Sequence, residues 1–223
     1  AMLPETLPAA SRRNLELGKM RGSLGAAASA SAASYRQLLR DPNQLGLLAL
    51  KISFLSGLSL VLTVVPLHAA AAWGATAAEM GQLYSFVTLL SLPISILSGG
   101  LADRFGRARL AVGGSLATAL GVACTPFATT KLQYYAVRSV WAAGEAVLIT
   151  AYAALALDLT PEAQRGARAS LDNQVGDLAL GVLPILLAVV GGKCSHRAAM
   201  WLGAAIMLAC NAFFAKLVIA KQS

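Results

Sequence analysis

Charge is scarce in this sequence: 13% of its 223 residues are Asp, Glu, Lys or Arg, while 57% are hydrophobic. A water-soluble domain carries roughly twice that share of charge to cover its surface, so a soluble globular fold is excluded. Acidic residues are scarcer still, 10 against 18 basic ones, which leaves a net charge of +8. Cysteine is limited to Cys124, Cys194 and Cys210, too few and too scattered for a disulfide framework or a zinc site. Cys194 and His196 share a short connection, but two ligands do not make a metal centre. There is no nucleophile beside a base and no phosphate-cradling glycine loop ahead of a helix. No enzyme activity, cofactor or metal is therefore expected.

What the chain has in abundance is apolar runs, each near the roughly 20 residues that cross a bilayer as a helix. Six are expected: about Leu45 to Leu67, Met80 to Leu101, Leu110 to Phe127, Leu132 to Leu157, Gln174 to Val190 and Ala198 to Ile219. Asp41-Pro42 ahead of the first run reads as a helix N-cap followed by proline at the first helical position. Lys51 lies just inside that run and is expected to snorkel its ammonium to the interface. Residues 1–40 are different, rich in Ala and Ser with several Arg and only Glu5 and Glu16 as acids. That composition fits an organellar transit peptide or its remnant and fits equally a disordered tail. The chain thus divides into a basic tail, 1–40, and a six-helix membrane unit, 41–223.

The excess positive charge is unevenly placed. Arg12, Arg13, Lys19, Arg21, Arg36 and Arg40 precede the first run; Arg104, Arg107 and Arg109 share the second connection; Arg165 and Arg168 share the fourth; Lys221 follows the last run. These alternate connections lie on one side, and the other side has only Lys131, Lys193 and Arg197. The positive-inside rule then puts both termini on the cytoplasmic, stromal or matrix side. With no aromatic-plus-basic surface, a nucleic-acid partner is not expected; the bilayer is. Small residues recur at every fourth position, Ser91, Ser95 and Gly99 in the second run and Gly113, Ala117 and Gly121 in the third, a spacing that allows close helix packing in lipid.

The second connection reads Gly99-Gly100-Leu101-Ala102-Asp103-Arg104-Phe105-Gly106-Arg107-Ala108-Arg109. Gly99 and Gly106 permit a tight crossing between antiparallel helices, and Asp103 is placed to pair with Arg104, Arg107 or a neighbouring cation. The segment resembles the signature loop of the major facilitator superfamily, Gly-x-Leu-Ala-Asp-Arg-x-Gly-Arg-Lys/Arg, at Gly99, Leu101, Ala102, Asp103, Arg104, Gly106 and Arg107 and in the same place, after the second helix. Ala108 stands where a basic residue is usual, with Arg109 next to it. Asp158-Leu-Thr-Pro-Glu-Ala-Gln-Arg165-Gly166 is similar to the family's fourth connection. Gly181-Val-Leu-Pro184 is similar to its antiporter glycine–proline motif, without the trailing glycines. The resemblance implies an all-α, six-helix half bundle of a carrier, in which the loop Asp contacts a helix of a second six-helix half, from the same gene or another subunit.

Arg138 and Glu145 in the fourth run and Asp177 in the fifth are ionisable groups at bilayer depth. Each costs about 2.5 kcal/mol or more there, so each should be paired or line a cavity. Arg138 and Glu145 share a face about 10 Å apart along the axis, and Asp177 is expected to bridge to Arg138 or share its cavity. They are the candidates for coupling or substrate contact; the plainer reading is a structural ion pair. His68 is expected at the interface, and Trp141 lies too deep to serve as an interfacial anchor. Two functions follow: a carrier of a small solute, or a transport-inactive subunit derived from one, held within a larger organellar membrane complex.

Overall fold

The computed structural model describes residues 32–219, and the tail before residue 32 and Lys221 lie outside the described residues. A short helix, α1 (32–38), leads into the six apolar runs, each of which forms a helix long and apolar enough to cross a membrane. These are α2 (Pro42–Trp73), α3 (Ala77–Phe105), α4 (Arg107–Cys124), α5 (Lys131–Asp158), α6 (Arg165–Lys193) and α7 (His196–Val218). The fold is all-α among the described residues, a six-helix half bundle.

Local chemistry sets the helix ends. The Asp41 carboxylate accepts from the Asn43 amide at 2.9 Å, with Pro42 in the first turn. Thr76 with Glu79, and Thr130 with Gln133, form reciprocal capping boxes at the starts of α3 and α5. Ser195 accepts from the Ala198 amide at 3.0 Å at the start of α7. Gly74 closes α2 at φ +73°, and Gly106 alone joins α3 to α4 at φ +88°, conformations that suit glycine. Three-residue 3-10 turns, Thr125–Phe127 and Glu162–Gln164, complete the connections on either side of α5.

Close pairing of α4 with α5 and of α2 with α7 makes the centre of the bundle; α3 leans on α5, and α6 leans on α2. The α4–α5 crossing is glycine to glycine. A methyl group on Gly144 would lie 2.5 Å from the Thr118 amide nitrogen, and one on Gly114 would lie 2.7 Å from that of Leu148. Gly121 meets Trp141 in the same way, and Gly203 of α7 accommodates Leu60 of α2. Helices approach this closely because in lipid van der Waals contact, and not water exclusion, holds them together. The expected stripes are therefore only partly the packed ones. Gly121 is in the contact, but Gly113 and Gly99 have open space around them, and the register on α4 is shifted by one residue to Gly114 and Thr118.

Trp141, Tyr134, Leu60, Met200 and Met207 fill the interior. Several polar groups inside are paired with each other or with the backbone, which lipid favours. Ser53, Ser115 and Asn211 link α2, α4 and α7 at 2.7–2.9 Å. Gln44 donates to the Leu159 carbonyl at 2.8 Å and ties the start of α2 to the end of α5. Ser59 and Thr118 hydroxyls return to their own helix carbonyls four residues back. Outside, Ile96, Leu132, Leu89 and Leu178 are among the most exposed side chains, so the bundle is apolar on both its inner and outer surfaces, as a membrane span is.

Two expectations change with the packing. The fifth run was read from Gln174, but α6 begins at Arg165, about two and a half turns earlier, because the charges of that stretch bond to neighbouring helices. Lys51 does not snorkel away: its ammonium is 3.0 Å from the Asp172 carboxylate of α6.

Candidate functional site

The joint between α3 and α4 is built around one arginine. The Arg107 guanidinium donates through Nη1 to both oxygens of Asp158, each at 2.7 Å, and through Nη2 to Asp103 at 3.2 Å. Asp103 is on the last turn of α3 and Asp158 is the final residue of α5, so one side chain staples three helices at the end of the bundle where the termini lie. The two carboxylates are thus divided between the two terminal nitrogens of one guanidinium, in charge-assisted hydrogen bonds. Asp103 stays largely exposed, and Arg104 and Arg109 are exposed with no ion pair within 4.0 Å among the described residues. Ala102 and Ala108 face inward, 3% and 7% exposed, while Leu101 and Gly99 are on the outer side. Ala108 packs with Ala111, Leu148 and Leu155, so a long basic side chain at this position would have to displace that core. A cavity of about 620 Å³ opens here between the loop, Leu155, Asp158 and Ile219.

Arg138 lies two turns into α5, 3% exposed, its guanidinium carbon 4.1 Å from the centre of the Trp141 ring. Among the described residues its Nε and Nη1 have no hydrogen-bond partner, and neither does the Trp141 indole nitrogen. The cation–π contact, worth up to about 2 kcal/mol when desolvated, offsets part of the cost of a buried cation. Glu145, two turns further along, is half-buried and acts on Arg138 electrostatically, but the two form no ion pair within 4.0 Å. Tyr84 also borders Arg138 and donates its hydroxyl to the Val61 carbonyl at 3.0 Å. Arg138 and Glu145 thus belong to the interior of this half. Asp177 does not join them: it is exposed on α6 and has no ion pair among the described residues.

A second charged cluster links α2, α5 and α6. Asp172 takes the Lys51 ammonium at 3.0 Å, Arg168 Nη2 at 3.2 Å and the Tyr152 hydroxyl, and Arg168 Nη2 also donates to that hydroxyl at 2.9 Å. Sequence reasoning missed it because residues 165–173 were read as connection. The signal was there in Arg168 and Asp172, four apart as on one helical face. At the opposite end His68 is 7% exposed, bonded through Nδ1 to the Tyr134 hydroxyl, with the His196 ring 6.3 Å away. It is packed near the end of α2, beside the start of α7. Among the described residues no group of three or more His, Cys, Asp or Glu could hold a metal.

Six helices long and apolar enough to cross a membrane define a polytopic membrane protein. The family model of the Major Facilitator Superfamily matches residues 47–222. The chain belongs to that superfamily, a family of transporters. No curated protein matches it closely enough to point to a substrate.

Proposed function

We propose that the chain is one six-helix half of a carrier for a small solute, proton-linked or facilitative, working against a second six-helix half on the same chain or another. The observation that carries this reading is Asp177. It is twelve residues into α6, about 18 Å along the axis, exposed and without an ion pair among the described residues, one turn beyond Asn173 and Gln174, which are exposed on the same face. An ionised carboxylate at that depth is too costly to face hydrocarbon, so this face of α6 is supported as the wall of a water-filled cavity or of a contact with the other half. Transporters of this kind place their solute and ion sites between repeats near the midplane. Arg138 and Glu145, inside this half and not bonded to each other, are suited to changing partners during a transport cycle. The basic end with Arg107, Arg165 and both termini fits the cytoplasmic, stromal or matrix side of a cellular or organellar membrane.

The test is uptake of a panel of labelled small solutes into proteoliposomes containing the intact protein. Arg138→Ala is expected to lower the uptake of the accepted solute at least about tenfold, which is 1.4 kcal/mol in the barrier. Arg138→Lys, which keeps a cation over Trp141, should retain part of it. Uptake unchanged in both variants would remove the charge from the mechanism. If no solute enters, and the protein migrates only within a larger assembly after mild detergent extraction, the transport-inactive subunit becomes the better reading.

A further inference from the structure

Between the ends of α5 and α6 that face the termini is a cavity of about 180 Å³, lined by Tyr152, Ala156, Arg165, Arg168, Ala169 and Asp172 among others. Arg168 is 4% exposed. Its Nη2 is occupied by Asp172 and Tyr152, but among the described residues its Nε and Nη1 have no partner and are closed to water. Three unmade charged hydrogen bonds are expensive. The local charge does not balance either. Lys51 and Arg168 share the single carboxylate of Asp172, and Arg165 on the rim has only the solvent-exposed Glu162, 3.7 Å away. The cluster is one negative charge short.

The shape of the cavity narrows what supplies that charge. Its volume is below the roughly 300–1,000 Å³ of pockets that enclose a whole small-molecule ligand, so it suits a head group. Guanidinium N–H pairs match phosphate oxygens two at a time. The rest of the wall is mainly apolar, and Ala153 and Leu157, which also line it, are exposed on the outer surface of α5, where a hydrocarbon chain attached to the phosphate would run into the bilayer. We propose that this cavity binds the phosphate of an anionic phospholipid, held by Arg168 with Arg165 at its mouth. The lipid completes the Lys51–Asp172–Arg168–Tyr152 cluster and so holds α2, α5 and α6 together. The leaflet on the side with the excess of Lys and Arg supplies such lipids if that side is cytoplasmic.

The test is native mass spectrometry of the intact protein, offered equal amounts of phosphatidylglycerol and phosphatidylcholine in detergent. The wild type is expected to retain phosphatidylglycerol about tenfold more, equivalent to 1.4 kcal/mol. Arg168→Lys keeps a cation against Asp172 but removes the three free N–H groups of Nε and Nη1, and should bring the two lipids close to parity at an unchanged melting temperature. Ala169→Leu fills the cavity without touching any ion pair and should do the same, so it decides the matter if Arg168→Lys does not fold. Equal retention by the wild type, or a preference that survives Ala169→Leu, would overturn the proposal. Displacement of the lipid by an equal concentration of glycerol 3-phosphate would assign the site to a soluble phosphate and overturn the lipid.

Discussion

Gly114 and Gly144 set how near α4 and α5 approach, because the backbone of the other helix fills the space that a side chain at each would need. At Gly144 a methyl group would meet the Thr118 nitrogen at 2.5 Å and the Gly114 carbonyl oxygen at 2.6 Å, and backbone cannot rotate aside as a side chain does. Gly144→Ala is expected to destabilise the bundle by about 1–3 kcal/mol, read as a lower melting temperature in detergent. Gly113→Ala, one residue from Gly114 with nothing within 4 Å, should be neutral or stabilising by up to about 1 kcal/mol through helix propensity. Equal losses at both would mean that the α4–α5 crossing is not the tight contact. The four-residue spacing of small side chains was visible in the sequence, but which of Gly113 and Gly114 faces α5 was not. Adjacent residues on a helix point about 100° apart, and only the partner helix distinguishes them.

At the scale of elements, α6 shows how charge can extend a helix and at the same time hide its start. Its first two turns have Arg165, Arg168 and Asp172, and hydropathy alone reads such a stretch as connection. The turns are helical because Asp172 receives Lys51 from α2 and the Tyr152 hydroxyl from α5. Asp172→Asn leaves those partners unbalanced. Side-chain exposure of 18% for Asp172 and 23% for Lys51 puts the pair between a surface and a buried one, so a loss on the order of 2 kcal/mol is expected. Thermal unfolding measures it, and Lys51→Met in the same background should recover part of the loss. No recovery would mean that the strained group is not the ammonium. The loop motif behaves in the opposite way. Its composition was legible residue by residue, and so was the acid at Asp158, but their contact through Arg107 joins positions 51 apart in the chain, beyond the reach of any local pattern.

For the whole molecule the open question is what covers α3 and α6, which lie at the margins of the bundle with only 17% of each apolar window buried. Most of the side chains they leave outside are apolar and equally at home against lipid or protein, so they do not choose between the two. Asp177 does choose. With Cys124, Cys194 and Cys210 replaced, Asp177→Cys is expected to react with a small hydrophilic thiol reagent in the membrane-inserted protein, because only a hydrated thiol ionises. Leu208→Cys, 49% exposed on the apolar face of α7, should stay inert. If both stay inert, the face of α6 is not open to water and the cavity reading fails.

The sequence by itself determined that the chain lives in a membrane, how many times it crosses, how Asp41 and Pro42 begin the first span and which family it belongs to. Those features depend on composition, on runs of about 20 residues and on a contiguous motif, all of which act locally or against a uniform solvent. Only the tertiary structure decided that Arg107 meets Asp158, that Lys51 is paired and not snorkelled, that Arg138 is inside this half while Asp177 is outside it, and that Arg168 has donors to spare. Inside a bilayer the hydrophobic effect acts on every helix face alike and does not orient them. Which polar groups meet is settled by packing among helices distant in sequence and by the need to satisfy each buried charge.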